Sequence, residues 1–291
     1  RYDLRQRPSR ETAWQRVLAA WRARGVIRRA AAGAGAVLGL LLLGTAAAAQ
    51  DSVHGPPPVP NPVPVATAVP FPIGERLTYQ AKYGLFNVGT AVMEVVGTDT
   101  VRGTEVVHFR FHISGGALWY HLDQTIESWV GRWDFRSRRY QSIQDERDRH
   151  RERRYEIYPD SGYYRELGQD SAFTTVPDPL DDASFLYFIR TVPLEVGERY
   201  EYSRYFRPDL NPVIIEVLGR ERVSLAGRKW RAIVVRPRIP HARGIFAEKS
   251  ETRIWLSDDP QRLVLAIQSN FSFGQVTLKL KDLNVPGLEL P

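Results

Sequence analysis

From about residue 73 onward, apolar and polar residues mostly alternate with a period of two. In VVHFRFHIS, Val107, Phe109, Phe111 and Ile113 fall on one face and His108, Arg110 and His112 on the other. That is the signature of a strand with one face on a core and one in solvent. Comparable runs cover Leu77–Tyr83, Ala91–Val96, Val213–Leu218, Ala232–Val235, Arg253–Leu256, Leu263–Ser269 and Val276–Leu280. Turn signals separate them, at Val101-Arg102-Gly103, Asp160-Ser161-Gly162, Ala226-Gly227 and Asp258-Asp259-Pro260. One helix is expected, over about 181–191. Asp181 or Asp182 caps it, Phe185, Leu186, Phe188 and Ile189 recur at helical spacing, and Pro193 stops it. The expected fold class is all-β, mainly antiparallel, with one internal helix.

The two ends of this pattern resemble each other. PIGERLTYQAKY at Pro72 parallels LEVGERYEYSRY at Leu194, and Gly97 and Gly103 of the next segment parallel Gly219 and Gly227. Further on, Trp129 aligns with Trp255 and Ile143-Gln144 with Ile267-Gln268. Units of this length suggest a duplicated β-meander rather than a solenoid. The expectation is one domain over 73–291, with similar halves at about 73–160 and 194–283 joined through the helix. It would form a strongly curved sheet, half-barrel or barrel-like.

Charge changes the picture only at the N-terminus. The formal net charge is +7, and residues 1–49 account for all of it, with nine arginines against Asp3 and Glu11. The remainder is balanced, which excludes a nucleic-acid footprint on the folded part. Even DERDRHRERRYEIYP, Asp145 to Pro159, mixes acids with its arginines. Arg147, Arg149, Arg151 and Arg153 alternate at strand period on the face of Tyr155 and Ile157, reading as a solvated strand that resists edge pairing, with contact to an anionic headgroup or cell-wall polymer as the competing reading.

Arg28-Arg29 precedes twenty uncharged residues, Ala30 to Ala49, that end in small residues before Gln50. This describes a secretory signal. An uncleaved anchor is the competing reading, since about 20 apolar residues span a bilayer, but alanine and glycine dominate the stretch and favour cleavage. Membrane contact is expected only through this segment, and location in the periplasm or cell envelope. Residues 50–72 form a proline-rich linker. The absence of cysteine excludes disulfides and thiolate metal sites.

Candidate chemistry is sparse. His108 and His112 lie about 13 Å apart along a strand, too far to share a metal. Asp258-Asp259-Pro260 puts two carboxylates together, yet reads more simply as a turn. Trp119, Trp129 and Trp255, with Tyr187 and Arg190 of the helix, are the candidate ligand-binding set; aromatic residues are also what strands prefer for packing. No catalytic motif, metal set or cofactor fingerprint emerges from the folded part, so no cofactor is expected.

Three segments carry a family resemblance: GERLTYQAKYGLFNVGTAVMEV, DDASFLYFIRTVPLEVGERYEY and IWLSDDPQRLVLAIQSNFSFGQVTLKL. Together they resemble the bacterial exported proteins of domain of unknown function 3108, over roughly Phe71 to Leu283. One departure is Leu263, where the pattern would place a proline after the arginine. The resemblance implies an envelope β-rich domain without an established activity, substrate or cofactor. Its expected shape resembles half-barrels that cradle acyl chains against a helix, which is fold analogy alone. The leading expectation is therefore a non-enzymatic exported domain that binds an apolar or amphipathic, lipid-like ligand. A structural envelope protein with a filled core is the alternative, and a hydrolase using Asp258 or Asp259 stands behind both.

Overall fold

Hairpins with tight turns build most of the molecule. Arg102 and Gly103 both take positive φ (50° and 77°), as do Ala226 and Gly227 (50° and 73°). A two-residue turn with both residues left-handed matches the twist of the strands it joins. The computed structural model describes residues 68–288, apart from 118, 119, 147, 148, 241–244, 272 and 273. The expected signal segment and most of the linker lie outside the described residues.

The strands are β1 (Arg76–Tyr83), β2 (Phe86–Val101), β3 (Thr104–Ala117), β4 (Tyr120–Gly131), β5 (Ser137–Glu146), β6 (Arg149–Tyr158), β7 (Tyr163–Glu166) and β8 (Ala172–Thr174). Helix α1 (Asp182–Phe188) follows. Then come β9 (Arg199–Tyr202), β10 (Val213–Leu225), β11 (Arg228–Arg238), β12 (Arg253–Ser257), β13 (Val264–Phe271) and β14 (Gly274–Asn284). All pair antiparallel in one 14-stranded sheet, ordered β8-β7-β6-β5-β4-β3-β2-β1-β14-β13-β12-β11-β10-β9. The last strand pairs with the first, Tyr79 opposite Leu280 and Ala81 opposite Leu278. The sheet is not closed, because β8 and β9 remain edges. Among the described residues, the expected all-β class, with one internal α-helix and barrel-like curvature, describes this architecture.

Repeat-related positions share local devices. Bulges fall at Val95/Gly97 in β2 and at Val217/Gly219 in β10. Glu75 O accepts from Val95 N, and Glu198 O from Val217 N, both at 2.9 Å or less. The Trp129 indole donates to Asp99 and the Trp255 indole to Glu221, at 3.2 and 3.0 Å. A bulge kinks its strand and increases local twist, so β2 and β10 each bend at these positions.

The inner face carries Leu77, Tyr79, Met93, Val95, Phe109, Ile254, Leu256 and Leu280, all 2 % exposed or less. Helix α1 lies on it, with Phe185, Leu186, Tyr187 and Phe188 buried. The segments flanking α1 bring the two edge regions of the sheet together. Leu180 N donates to Arg204 O (2.5 Å) and Phe206 N to Leu180 O (2.9 Å). The Phe206 ring meets Tyr140, Tyr155 and Tyr164 of β5, β6 and β7 at 5.0–6.3 Å between centroids.

One expectation needs correction. The folded part begins before residue 73. Val69 N donates to Arg132 O, and Phe71 packs against Phe109, Phe135 and Tyr187. Prolines exclude a ladder strand there but not the burial of an apolar ring. The helix expected over about 181–191 is present, as α1 to Phe188 continued by one tighter 3₁₀ turn over Ile189–Thr191.

Candidate functional site

Helix α1 is positioned by its N-terminus. The Asp181 carboxylate accepts from the Ala183 and Ser184 amides at 3.0 Å, while Ser184 Oγ accepts from Asp181 N at 2.7 Å. This reciprocal capping box satisfies donors that a helix start leaves unpaired. The cap is also tied to the sheet: Ser128 Oγ of β4 donates to Asp181 Oδ2 (2.5 Å), and Ser137 Oγ of β5 lies 2.8 Å from Ser184 Oγ. Burial raises the Asp181 pKa from 3.8 to about 6, although these bonds pull it down. Next to it, the Asp182 carboxylate accepts from Tyr140 and Tyr205 hydroxyls, both at 3.0 Å, and burial raises its pKa as well.

The C-terminal end is held by charge. Arg190 Nη1 donates to Glu75 Oε1 at 2.6 Å and Nη2 to Glu75 Oε2 at 2.9 Å; Nη2 also donates to Gln261 O at 2.9 Å. Both side chains are 1 % exposed. The guanidinium lies 4.1 Å from the Phe71 ring centroid. Glu75, Arg190 and Gln261 belong in turn to the three segments on which the family resemblance rests. Asp259 serves the last of these as a turn residue, accepting from Ser257 Oγ, Gln261 N and Arg262 N at 2.7–3.1 Å.

Between the helix and the curved sheet lies a cavity of about 480 Å³. Phe111, Ile126 and Tyr140 line it from β3–β5, Ile267 and Leu278 from β13 and β14, and Leu186 from the helix. Asp182 lies at its helix end, and Gln124 and Gln144 supply further polar groups. Burial falls along one direction: on β3 Phe109 is fully buried, Phe111 is 9 % exposed and Ile113 is half-buried. The mouth therefore opens toward the β5–β6 and β13–β14 hairpins. Volume and lining fall within the usual range of small-molecule sites, about 300–1,000 Å³.

The residues singled out from sequence do not line this cavity. Tyr187 is buried beside it, its ring stacked on Phe109 at 3.9 Å. Arg190 lines a second pocket, of about 640 Å³, beside Pro72, Val192, Arg262 and Pro286. Its charge there is matched by Glu75. Trp129 sits on the outer face, stacked on His108 at 4.4 Å. Trp255 is likewise outward, since its neighbours Ile254 and Leu256 are fully buried. Trp119 lies outside the described residues. Sequence reasoning missed Gln124, Gln144 and Leu186. The accessible signal was the polar interruption of an apolar face in β4, where Gln124 and Ser128 share a side with Ile126.

The outer face is a charged lattice. Arg76, Glu94, Arg110 and Glu127 link β1 to β4 at 2.9–3.7 Å. His108 completes the set at 3.0 Å from Glu127, and this hydrogen bond, aided by Arg110, lowers the Glu127 pKa against the opposing effect of burial. Among the described residues, no group of three or more His, Asp or Glu side chains is arranged to hold a metal ion.

A beta-barrel-like protein of domain of unknown function DUF1849 from Brucella abortus is similar in structure, with 10 % identity and a TM-score of 0.47, covering 74 % of this chain and 98 % of that one. A hypothetical protein from Chlamydia trachomatis shows 8 % identity and a TM-score of 0.33, covering 77 % and 94 %. No curated protein matches the sequence. A family described as "Protein of unknown function (DUF3108)" matches residues 78–281, from β1 into β14 and including the helix. This chain belongs to the DUF3108 family of proteins of unknown function.

Proposed function

We propose that this chain is a non-catalytic, exported binding domain that holds an apolar or amphipathic ligand in the cavity between α1 and the sheet. One observation carries the reading: an open space of about 480 Å³ walled mainly by apolar side chains. Protein interiors pack closely and rarely leave voids larger than a water molecule. A purely structural domain would gain by filling this space. The export component rests on Arg28-Arg29 and the uncharged stretch that follows. The acidic groups that could serve hydrolysis have structural partners: Asp182, at the cavity, bonds two tyrosines, and Asp259, in the β12–β13 turn, bonds its own turn.

The test is titration of the purified full chain with N-phenyl-1-naphthylamine, an uncharged dye that brightens in apolar surroundings. Saturable binding near one dye per chain is expected. Ile126→Trp, which fills the cavity, should weaken it at least tenfold, whereas Trp129→Phe and Trp255→Phe on the outer face should leave it unchanged. Absence of saturable binding by wild type, or retention of full affinity by a folded Ile126→Trp variant, would remove the reading.

A further inference from the structure

We infer that the ligand is an amphiphile with an anionic head, and that Arg149 and Arg151 of β6 are the residues that receive it. This rests on the cavity reading above and deepens it. Strand register supplies the placement. Residues directly opposite on paired strands share a face, and neighbouring strands lie about 4.8 Å apart. Ile113 is opposite Gln124, Gln124 opposite Gln144, and Gln144 opposite Arg151. One row thus runs from the apolar wall through two amides to a guanidinium. The next row outward runs Gly115, Leu122, Glu146, Arg149. Ile113, Gln124, Gln144 and Leu122 line the cavity, so the arginines continue its wall past the mouth.

The same face of β6 changes character along its length. Ile157 is fully buried and Tyr155 half-buried, and then Arg153, Arg151 and Arg149 are exposed. That gradient follows the one on β3 and points to the same end of the cavity. Arg153 is 4.0 Å from Glu166. Arg149 and Arg151 have no carboxylate partner among the described residues. On the opposite face of this hairpin, by contrast, Arg139 and Arg154 both bond Glu156, at 2.7 and 3.0 Å. The acids on the inner side here are Glu146, which accepts from Gln144 at 3.3 Å, and Glu166. Two of the three cations therefore stay available. A guanidinium presents a planar fork of donors suited to carboxylate or phosphate oxygens. The apolar space of about 480 Å³ is within the size range of small-molecule sites.

The experiment compares cis-parinaric acid with its methyl ester, which share the chain and differ in head charge, by fluorescence titration of the full chain. The acid is expected to bind at least tenfold tighter than the ester at low salt, with the preference shrinking as salt is raised. In Arg149→Gln/Arg151→Gln the preference should fall to within twofold while ester affinity stays the same. Arg222→Gln/Arg228→Gln, with an equal change of net charge in the other half of the sheet, should keep the preference. Equal binding of acid and ester by wild type would overturn the headgroup assignment and leave the cavity reading standing. A preference surviving in Arg149→Gln/Arg151→Gln, or lost equally in Arg222→Gln/Arg228→Gln, would also overturn it. Binding of neither probe would overturn both.

Discussion

Glu75 and Arg190 form a two-pronged ion pair in the interior, joining the entrance of β1 to the end of the helix across 115 residues of chain. The attraction offsets a large desolvation cost, so the pair matters most when half of it is removed. Arg190→Met alone should lower stability by about 3–5 kcal/mol, leaving Glu75 buried and uncompensated. Glu75→Leu/Arg190→Met together should recover most of that loss. Urea unfolding of the two variants decides it, and an unchanged midpoint for Arg190→Met would show that the pair contributes nothing.

Two buried tyrosines should respond differently to hydroxyl removal. Tyr79 donates to Val264 O at 2.8 Å, so Tyr79→Phe should cost about 1 kcal/mol. The Tyr187 hydroxyl is buried with no hydrogen-bond partner among the described residues. An unsatisfied buried hydroxyl is costly, and Tyr187→Phe is expected to be neutral or to stabilise by about 1 kcal/mol. Equal destabilisation in both would show that Tyr187 is bonded after all.

Asp181 makes stability depend on pH. Burial lifts its pKa from 3.8 to about 6 in the folded chain, so folding tightens its hold on the proton. The stabilisation from this group is complete below about pH 3.8 and is lost as pH rises through about 6, amounting to at most about 3 kcal/mol. Asn caps helices as well as Asp does, and Asp181→Asn should gain stability relative to wild type across that interval. Parallel denaturation curves at pH 4 and pH 7, with a constant difference between the proteins, would contradict this.

Gly89 and Gly115 stand opposite each other on β2 and β3. A methyl group on Gly115 would meet the Val88 carbonyl and lie 2.8 Å from Gly89 Cα, both backbone atoms. Gly115→Ala should therefore destabilise by about 1–3 kcal/mol. Gly97, at the β2 bulge, has nothing within 4 Å of such a group, and Gly97→Ala should cost less. Thermal unfolding ranks the two, and a reversed order would count against the close approach.

Much of the fold was legible because a half-buried strand writes its burial into its sequence. Val107 to Ile113 alternates as a strand does, and β3 is that strand. Strand β4 was not separated out, for a reason tied to the site. Its inner side carries Gln124 and Ser128 among Leu122, Ile126 and Val130, because Gln124 faces the cavity and Ser128 bonds Asp181. Polar groups at a functional or capped position break the two-residue pattern. The tryptophans misled in the opposite sense. Trp129 and Trp255 suggested a pocket by their size, yet both anchor the outer face through indole bonds to Asp99 and Glu221.

By itself the sequence determined the strand-rich class, the turn positions, the capped helix and the confinement of excess charge to the N-terminus. These are local properties, set by side-chain alternation, backbone preferences at glycine and proline, and capping chemistry. Only the tertiary structure decided that the last strand pairs with the first, that Glu75 meets Arg190, and that Arg149 and Arg151 stand opposite Glu146 and Gln144. Each of these depends on which strands become neighbours and in what register, and alternation along one strand says nothing about what lies opposite it.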